Sequence, residues 1–106
     1  MSIDRTFAAL ADPHRRQVIE LLGARARPAG ELARLLNLSP PAMSRHLRAL
    51  RQAGLVGETS PVFDARIRVY ALRKEGMDVL RAWLEQADTM WADQLTAFKR
   101  HLESGE

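Results

Sequence analysis

The chain contains no cysteine. Disulfides, thiolate metal sites and thiol redox switches are therefore excluded, and a reducing, cytoplasmic setting is the expectation. No apolar run approaches the roughly 18 residues of a membrane span, and the N-terminus shows no signal-peptide pattern. There is no glycine-rich phosphate loop, and the three histidines are far apart in sequence. No Ser/His/Asp grouping falls on adjacent turns, so an enzyme is not expected. The most informative absence is local. From Ser39 to Gly54 there is not one acidic residue.

What is present fits one domain spanning all 106 residues. A chain of this size buries a modest core and is marginal as a monomer. Its formal net charge is only +3, but the charge is unevenly placed. Up to Lys74 there are thirteen Lys and Arg against six Asp and Glu, and from Glu75 onward three against seven. A basic half suits a polyanion, because phosphate contacts supply much of nucleic-acid affinity; a merely solvated, arginine-rich surface is the alternative.

The segment from Leu32 to Gly54 carries the sharpest pattern. Leu32, Ala33, Leu35 and Leu36 form an apolar run ending at Asn37, which tolerates the left-handed conformation that closes a helix. A second helix starts at once, with Ser39 as N-cap and Pro40 in the first helical position, where no N–H is needed. Met43, Leu47, Leu50 and Gly54 recur every three or four residues and mark a buried face. The other face carries Pro41, Ala42, Ser44, Arg45, Arg48, Arg51 and Gln52. A cationic helix opening with small residues is what a DNA major groove accepts.

Ahead of this segment, Ile3, Phe7 and Leu10 mark a short amphipathic helix. Asp12-Pro13 caps a second one, with Val18, Ile19, Leu21 and Leu22 apolar and His14, Arg15, Arg16 and Glu20 on its charged face. Residues 25–30 read as a loop, and a third helix runs from about Ala29 to Leu36. After Gly54 the period changes. Residues 55–59 and 66–72 are β-prone runs forming a hairpin, with Tyr70 and Leu72 toward the helices and Arg66 and Arg68 on the same side nearer the tip. Val62 and Phe63, in the connecting loop, either cover the hairpin or face water.

Residues 75–103 read as one long helix, free of proline and, after Gly76, of glycine. Met77, Leu80, Leu84, Ala87, Trp91, Leu95, Phe98 and Leu102 step along it by threes and fours, flanked by a second stripe of Trp83, Met90 and Ala97. That face is wider than one neighbour needs, and a helix roughly 40 Å long outreaches a domain of this size. The expected cover is the same helix of a second copy, joined by the first helix. The interface expected is Ile3, Phe7, Leu10, Leu80, Trp83, Leu84, Ala87, Met90, Trp91, Leu95 and Phe98. Two alternatives stay open: a hairpin folding back near residues 86–89, and a small-molecule pocket lined by Trp83, Met90 and Trp91.

Taken together, FAALADPHRRQVIELL at 7–22, GELARLLNLS at 30–39, MSRHLRALRQAGLV at 43–56 and VYAL at 69–72 resemble the ArsR/SmtB family of bacterial winged-helix repressors over nearly the whole chain. The resemblance implies a mainly α fold with a small β-hairpin: a winged helix-turn-helix of four helices, a two-stranded wing and a fifth helix, dimerising through its terminal helices. It also implies a homodimer that binds an inverted-repeat operator in double-stranded DNA and represses transcription, often of its own operon. Ser39, Pro41, Ala42, Ser44 and Arg45 would then meet the major groove, while Arg48, Arg66 and Arg68 hold phosphates or the minor groove. His46 lies on the rim of the buried face, and packing with a phosphate contact is weighed there against base reading.

Members of that family are best known as metal sensors. The thiolate type is impossible here. The type on the last helix uses Asp-x-His, ten residues, then His-x-x-Glu or His. Asp88 and His101 fall in that spacing, but Met90 replaces the first His and Ser104 the last ligand. No metal site, thiol sensor or cofactor is therefore assigned, and the effector, if there is one, is not named by the sequence. Two other functional readings remain: a ligand- or zinc-gated regulator, and a protein-interaction module on the same scaffold.

Overall fold

The computed structural model describes residues 2–59 and 66–105. The element order is α1 (Ile3–Leu10), α2 (Pro13–Ala24), β1 (Arg27–Pro28), α3 (Ala29–Leu35), α4 (Pro40–Gln52), β2 (Val56–Thr59), β3 (Val69–Leu72) and α5 (Lys74–Glu103). The cover expected from Val62 and Phe63 lies outside the described residues.

Local chemistry sets most of these boundaries. The Asp12 carboxylate accepts the backbone N–H groups of His14 at 2.7 Å and Arg15 at 3.3 Å, and Ser39 Oγ accepts that of Ala42 at 3.3 Å. Each cap is followed by a proline whose missing N–H costs the helix nothing. Helix ends are equally regular. Asn37 adopts φ 55°, its N–H reaching Arg34 O while that of Leu38 reaches Ala33 O. Gly54, at φ 79°, repeats the arrangement through Arg51 O and the Leu55 N–H to Leu50 O bond. These are two Schellman closures, one on each side of the turn-helix unit.

Between them the helices build one core. Val18 and Leu22 from α2, Leu32 and Ala33 from α3, and Met43, Leu47 and Leu50 from α4 are buried together with Leu55, Val56 and Tyr70. Complete burial of each large side chain contributes about 1.5–3 kcal/mol, so α4 is anchored by three such residues along one face. Leu35, counted in the apolar run, instead faces outward.

The wing differs from a simple hairpin. Three antiparallel strands form the sheet in the order β1-β3-β2. Residues 25–30 are thus not wholly loop: Arg27 pairs with Tyr70 and Pro28 with Val69. Pro28 can occupy this edge because it has no N–H to offer a further strand. The last strand also starts later than its β-prone run, at Val69 rather than Arg66. Among the described residues its pairing begins opposite Thr59 and Pro28, and just before it the Ala29 N–H donates to Arg68 O at 3.1 Å. Arg68 nevertheless reaches the same carboxylate as Tyr70, its Nη1 standing 3.6 Å from Glu58 Oε1.

Helix α5 is continuous, with no fold-back near residues 86–89. Gly76 seats its first turn on the corner after α4: a Cβ there would lie 2.1 Å from Gly54 O. Met77 and Leu80 are partly buried, but from Asp88 onward every described residue is exposed. The radius of gyration, 18.6 Å, exceeds the roughly 13 Å of a compact chain this long because α5 projects away from the core.

Candidate nucleic-acid interface

The candidate surface begins with the buried side of α4. With Met43, Leu47 and Leu50 fixed in the core, the residues at intervening angles must point outward. Pro41, Ser44, Arg45, Arg48, Arg51 and Gln52 are exposed, while Ala42 and His46 sit half-buried on the flanks. From Pro41 to Gln52 this stripe is about 17 Å long on a helix slim enough for a major groove. Ser39 is exposed at its start.

Tertiary structure brings an acid to this face that the helix itself lacks. Arg51 Nη1 donates to Glu58 Oε2 at 2.9 Å, and the Tyr70 hydroxyl donates to the same oxygen at 3.2 Å. Arg68 Nη1 stands 3.6 Å from Glu58 Oε1. Burial, then the charge and hydrogen-bonding of Glu58, pushes the Tyr70 phenol above its ordinary range. The positive face is consequently not uniform. Arg51 is tied to the wing, whereas Arg45 and Arg48 project from the front of α4. Arg66 and Arg68 are both exposed, and the Arg68 guanidinium lies between solvent and Glu58.

Other arginines support this surface. Arg15 Nε donates to Ala9 O at 2.6 Å and Arg16 Nη1 to Leu10 O at 2.7 Å, closing the carbonyl end of α1. Arg27 links Leu21 O at 3.1 Å to Glu31 at 2.9 Å, tying the end of α2 to the beginning of α3. Arg15 and Arg16 thus do more than line the charged face of α2. Their partners lie five or six residues back across a helix break, beyond any local periodicity.

The histidines are not all scattered, as their sequence positions had implied. His14 and His46 pack with ring centroids 5.6 Å apart, and Asp12 completes the cluster. Asp88 and His101, by contrast, sit on one helix about 20 Å apart, and one chain cannot bring them to a common ion.

Residues assigned to the pairing surface divide between two environments. Leu10 packs against the chain's own core. Phe7 meets Trp83 edge-on, with centroids 4.7 Å apart, joining α1 to α5. Ile3, Leu80 and Ala87 are half-buried, whereas Leu84, Met90, Trp91, Leu95 and Phe98 lie exposed. The groove along α5 is lined by Met77, Leu80, Arg81, Leu84, Glu85 and Asp88, and Trp83, Met90 and Trp91 take no part in it.

A buried-face helix after a capped turn, a three-stranded wing and a projecting last helix define a winged helix-turn-helix protein. Comparisons with known proteins agree. A helix-turn-helix domain family matches residues 10–58. The HTH-type transcriptional regulator Rv2034 of Mycobacterium tuberculosis is 39% identical over 103 residues, spanning 97% of this chain and 91% of its own. The transcriptional repressor SdpR of Bacillus subtilis is 36% identical over 56 residues, covering 53% of this chain and 62% of its own. The crystal structure of an ArsR family transcriptional regulator superposes with TM-score 0.73 at 29% identity, over 85% of this chain and 96% of that one. The chain belongs to the ArsR-type winged helix-turn-helix family of DNA-binding transcriptional regulators, which are not enzymes.

Proposed function

We propose that the protein is a cytoplasmic, homodimeric repressor that acts as a single DNA-binding domain on an inverted-repeat operator, including that of its own operon. The observation that carries this reading is the outward face of α4, where Arg45 and Arg48 stand exposed on a helix without an acidic residue. Helix α4 enters the major groove, with Ser39, Pro41, Ala42, Ser44 and Arg45 toward base edges and His46 at the flank. Arg48 holds phosphate, and Arg66 and Arg68 reach phosphates or the minor groove beside it. Repression is supported by the likeness to SdpR, which is named a transcriptional repressor.

Dimerisation follows from α5. Trp91, Leu95, Phe98 and Leu102 are each 60–62% exposed along one helix, an apolar stripe that a stable chain covers. A two-fold copy covers it with the same surface and sets two α4 helices about one DNA turn apart.

A titration against the DNA upstream of its own gene tests the reading. Arg45→Ala is expected to weaken specific binding by roughly 5- to 150-fold and relax base preference at one position. Arg48→Ala is expected to weaken all sequences alike and lower the salt slope by about one. Leu95→Asp is expected to sediment as a monomer and lose cooperative operator binding. Unchanged affinity in Arg45→Ala would remove α4 as the reading element.

A further inference from the structure

Two elements distant in sequence bring three metal-ligating side chains together beside α4. Asp12 caps α2, His14 stands in that helix's first turn, and His46 comes from the middle of α4. Their ligand atoms all lie within 4.8 Å of one another, and all three residues are half-buried. Among the described residues this is the one such group of three. We propose that Asp12, His14 and His46 form a site for one borderline divalent transition-metal ion, zinc being the reference case, which clips the start of α2 to α4.

The donor chemistry fits such an ion. Two imidazole nitrogens and one carboxylate oxygen are the set that zinc, cobalt and nickel accept, while magnesium and calcium prefer oxygen alone. Three protein ligands leave a fourth tetrahedral position for water. A tetrahedral shell needs ligand atoms roughly 3.3 Å apart for metal–ligand distances near 2.0 Å. Rotation of the half-buried rings supplies the remaining approach. The carboxylate has lone pairs to spare, since the N–H groups of His14 and Arg15 occupy only part of an acceptor with about four sites. Those bonds also fix its direction.

The nearby cations are engaged elsewhere or point away. Arg15 is the closest cation in sequence, but its Nε is committed to Ala9 O. Arg16 is directed to Leu10 O and Ala11 O, and Arg45 is exposed on the outward side of α4. Proximity of Asp12 and His14 to His46 has a mechanical consequence. An ion bound here fixes the rotation of α4 relative to α2, because two ligands belong to the start of α2 and one to α4.

The test is direct metal uptake by the full chain after treatment with a chelator. Cobalt(II) titration is expected to give visible ligand-field absorption saturating at about one ion per chain, displaced by zinc. His14→Gln and His46→Gln should each weaken uptake at least tenfold, while His101→Gln should leave it intact. Zinc at about 100 times its dissociation constant should raise the melting temperature of the native chain by at least about 5 °C, and that of His14→Gln by none of it. Far-ultraviolet circular dichroism of the metal-free variants checks their folding, and His14→Gln is decisive if His46→Gln fails it. No uptake, or uptake unchanged in His14→Gln, overturns the site. Loss in His101→Gln alone would move the metal to α5 and overturn it equally.

Discussion

Arg51 on the last turn of α4 donates to Glu58 on β2 at 2.9 Å, so the helix proposed to read DNA and the wing beside it are joined by an ion pair. The Arg51 side chain is 51% exposed and that of Arg68 67%. Such pairs contribute about 0–1 kcal/mol to stability, and their larger effect is on charge. Glu58→Gln keeps an acceptor for Tyr70 while releasing both guanidinium groups from a counter-charge. Non-specific DNA affinity should rise two- to tenfold, with a salt slope steeper by up to about one, read by fluorescence anisotropy from low to moderate salt. The melting temperature should fall by no more than a few degrees.

Gly76 separates a propensity effect from a steric one. Alanine is better than glycine in a helix by about 1 kcal/mol, so exposure alone would make Gly76→Ala stabilising. The new Cβ would meet the Gly54 carbonyl oxygen at 2.1 Å, and backbone must shift. Overpacking costs about 1–3 kcal/mol, and the net expectation is destabilisation. A urea midpoint higher than that of the parent chain would contradict the close seating of α5 on this corner.

Asn37 holds α3 and α4 in their turn through its positive φ. Asn37→Ala is expected to cost up to about 1–2 kcal/mol, because alanine lacks the short polar side chain whose local hydrogen bonding eases a residue with a Cβ into the left-handed region. Asn37→Gly should fall within about 0.5 kcal/mol of the parent. Chemical denaturation of the two variants distinguishes a backbone requirement from any side-chain contact.

Glu31 gives the pH dependence a sign. Its hydrogen bond with Arg25 leads, and that with Arg27 adds, in holding the carboxyl below its ordinary value of 4.5. A carboxyl lowered in the folded state stabilises above its unfolded value and loses that contribution as pH falls through the folded one. The gap in melting temperature between the parent chain and Glu31→Gln should therefore be full at pH 6 and shrink below pH 4.5. A gap that widened on acidification would show that the pairing with Arg25 and Arg27 is not what Glu31 supplies.

Much of the architecture could be read locally, because helix caps, prolines and a period of three to four residues act over short stretches. Asp12, Ser39 and Asn37 each announced their role from their immediate neighbours. The long last helix was equally legible, since nothing in residues 77–102 breaks it. The strand at Arg27–Pro28 was not, because two residues carry no periodicity and are extended only through their partner, β3. The same reason hid the late start of β3: strand length depends on what stands opposite.

The sequence by itself determined the helices, their caps, the apolar face of α4 and the outward direction of Arg45 and Arg48, all consequences of spacing along one chain. Only the tertiary structure decided which charges and ligands meet. Glu58 reaches Arg51 from seven residues away across a helix end, and His46 reaches His14 across thirty-two, distances over which electrostatics and coordination depend on packing rather than on order along the chain.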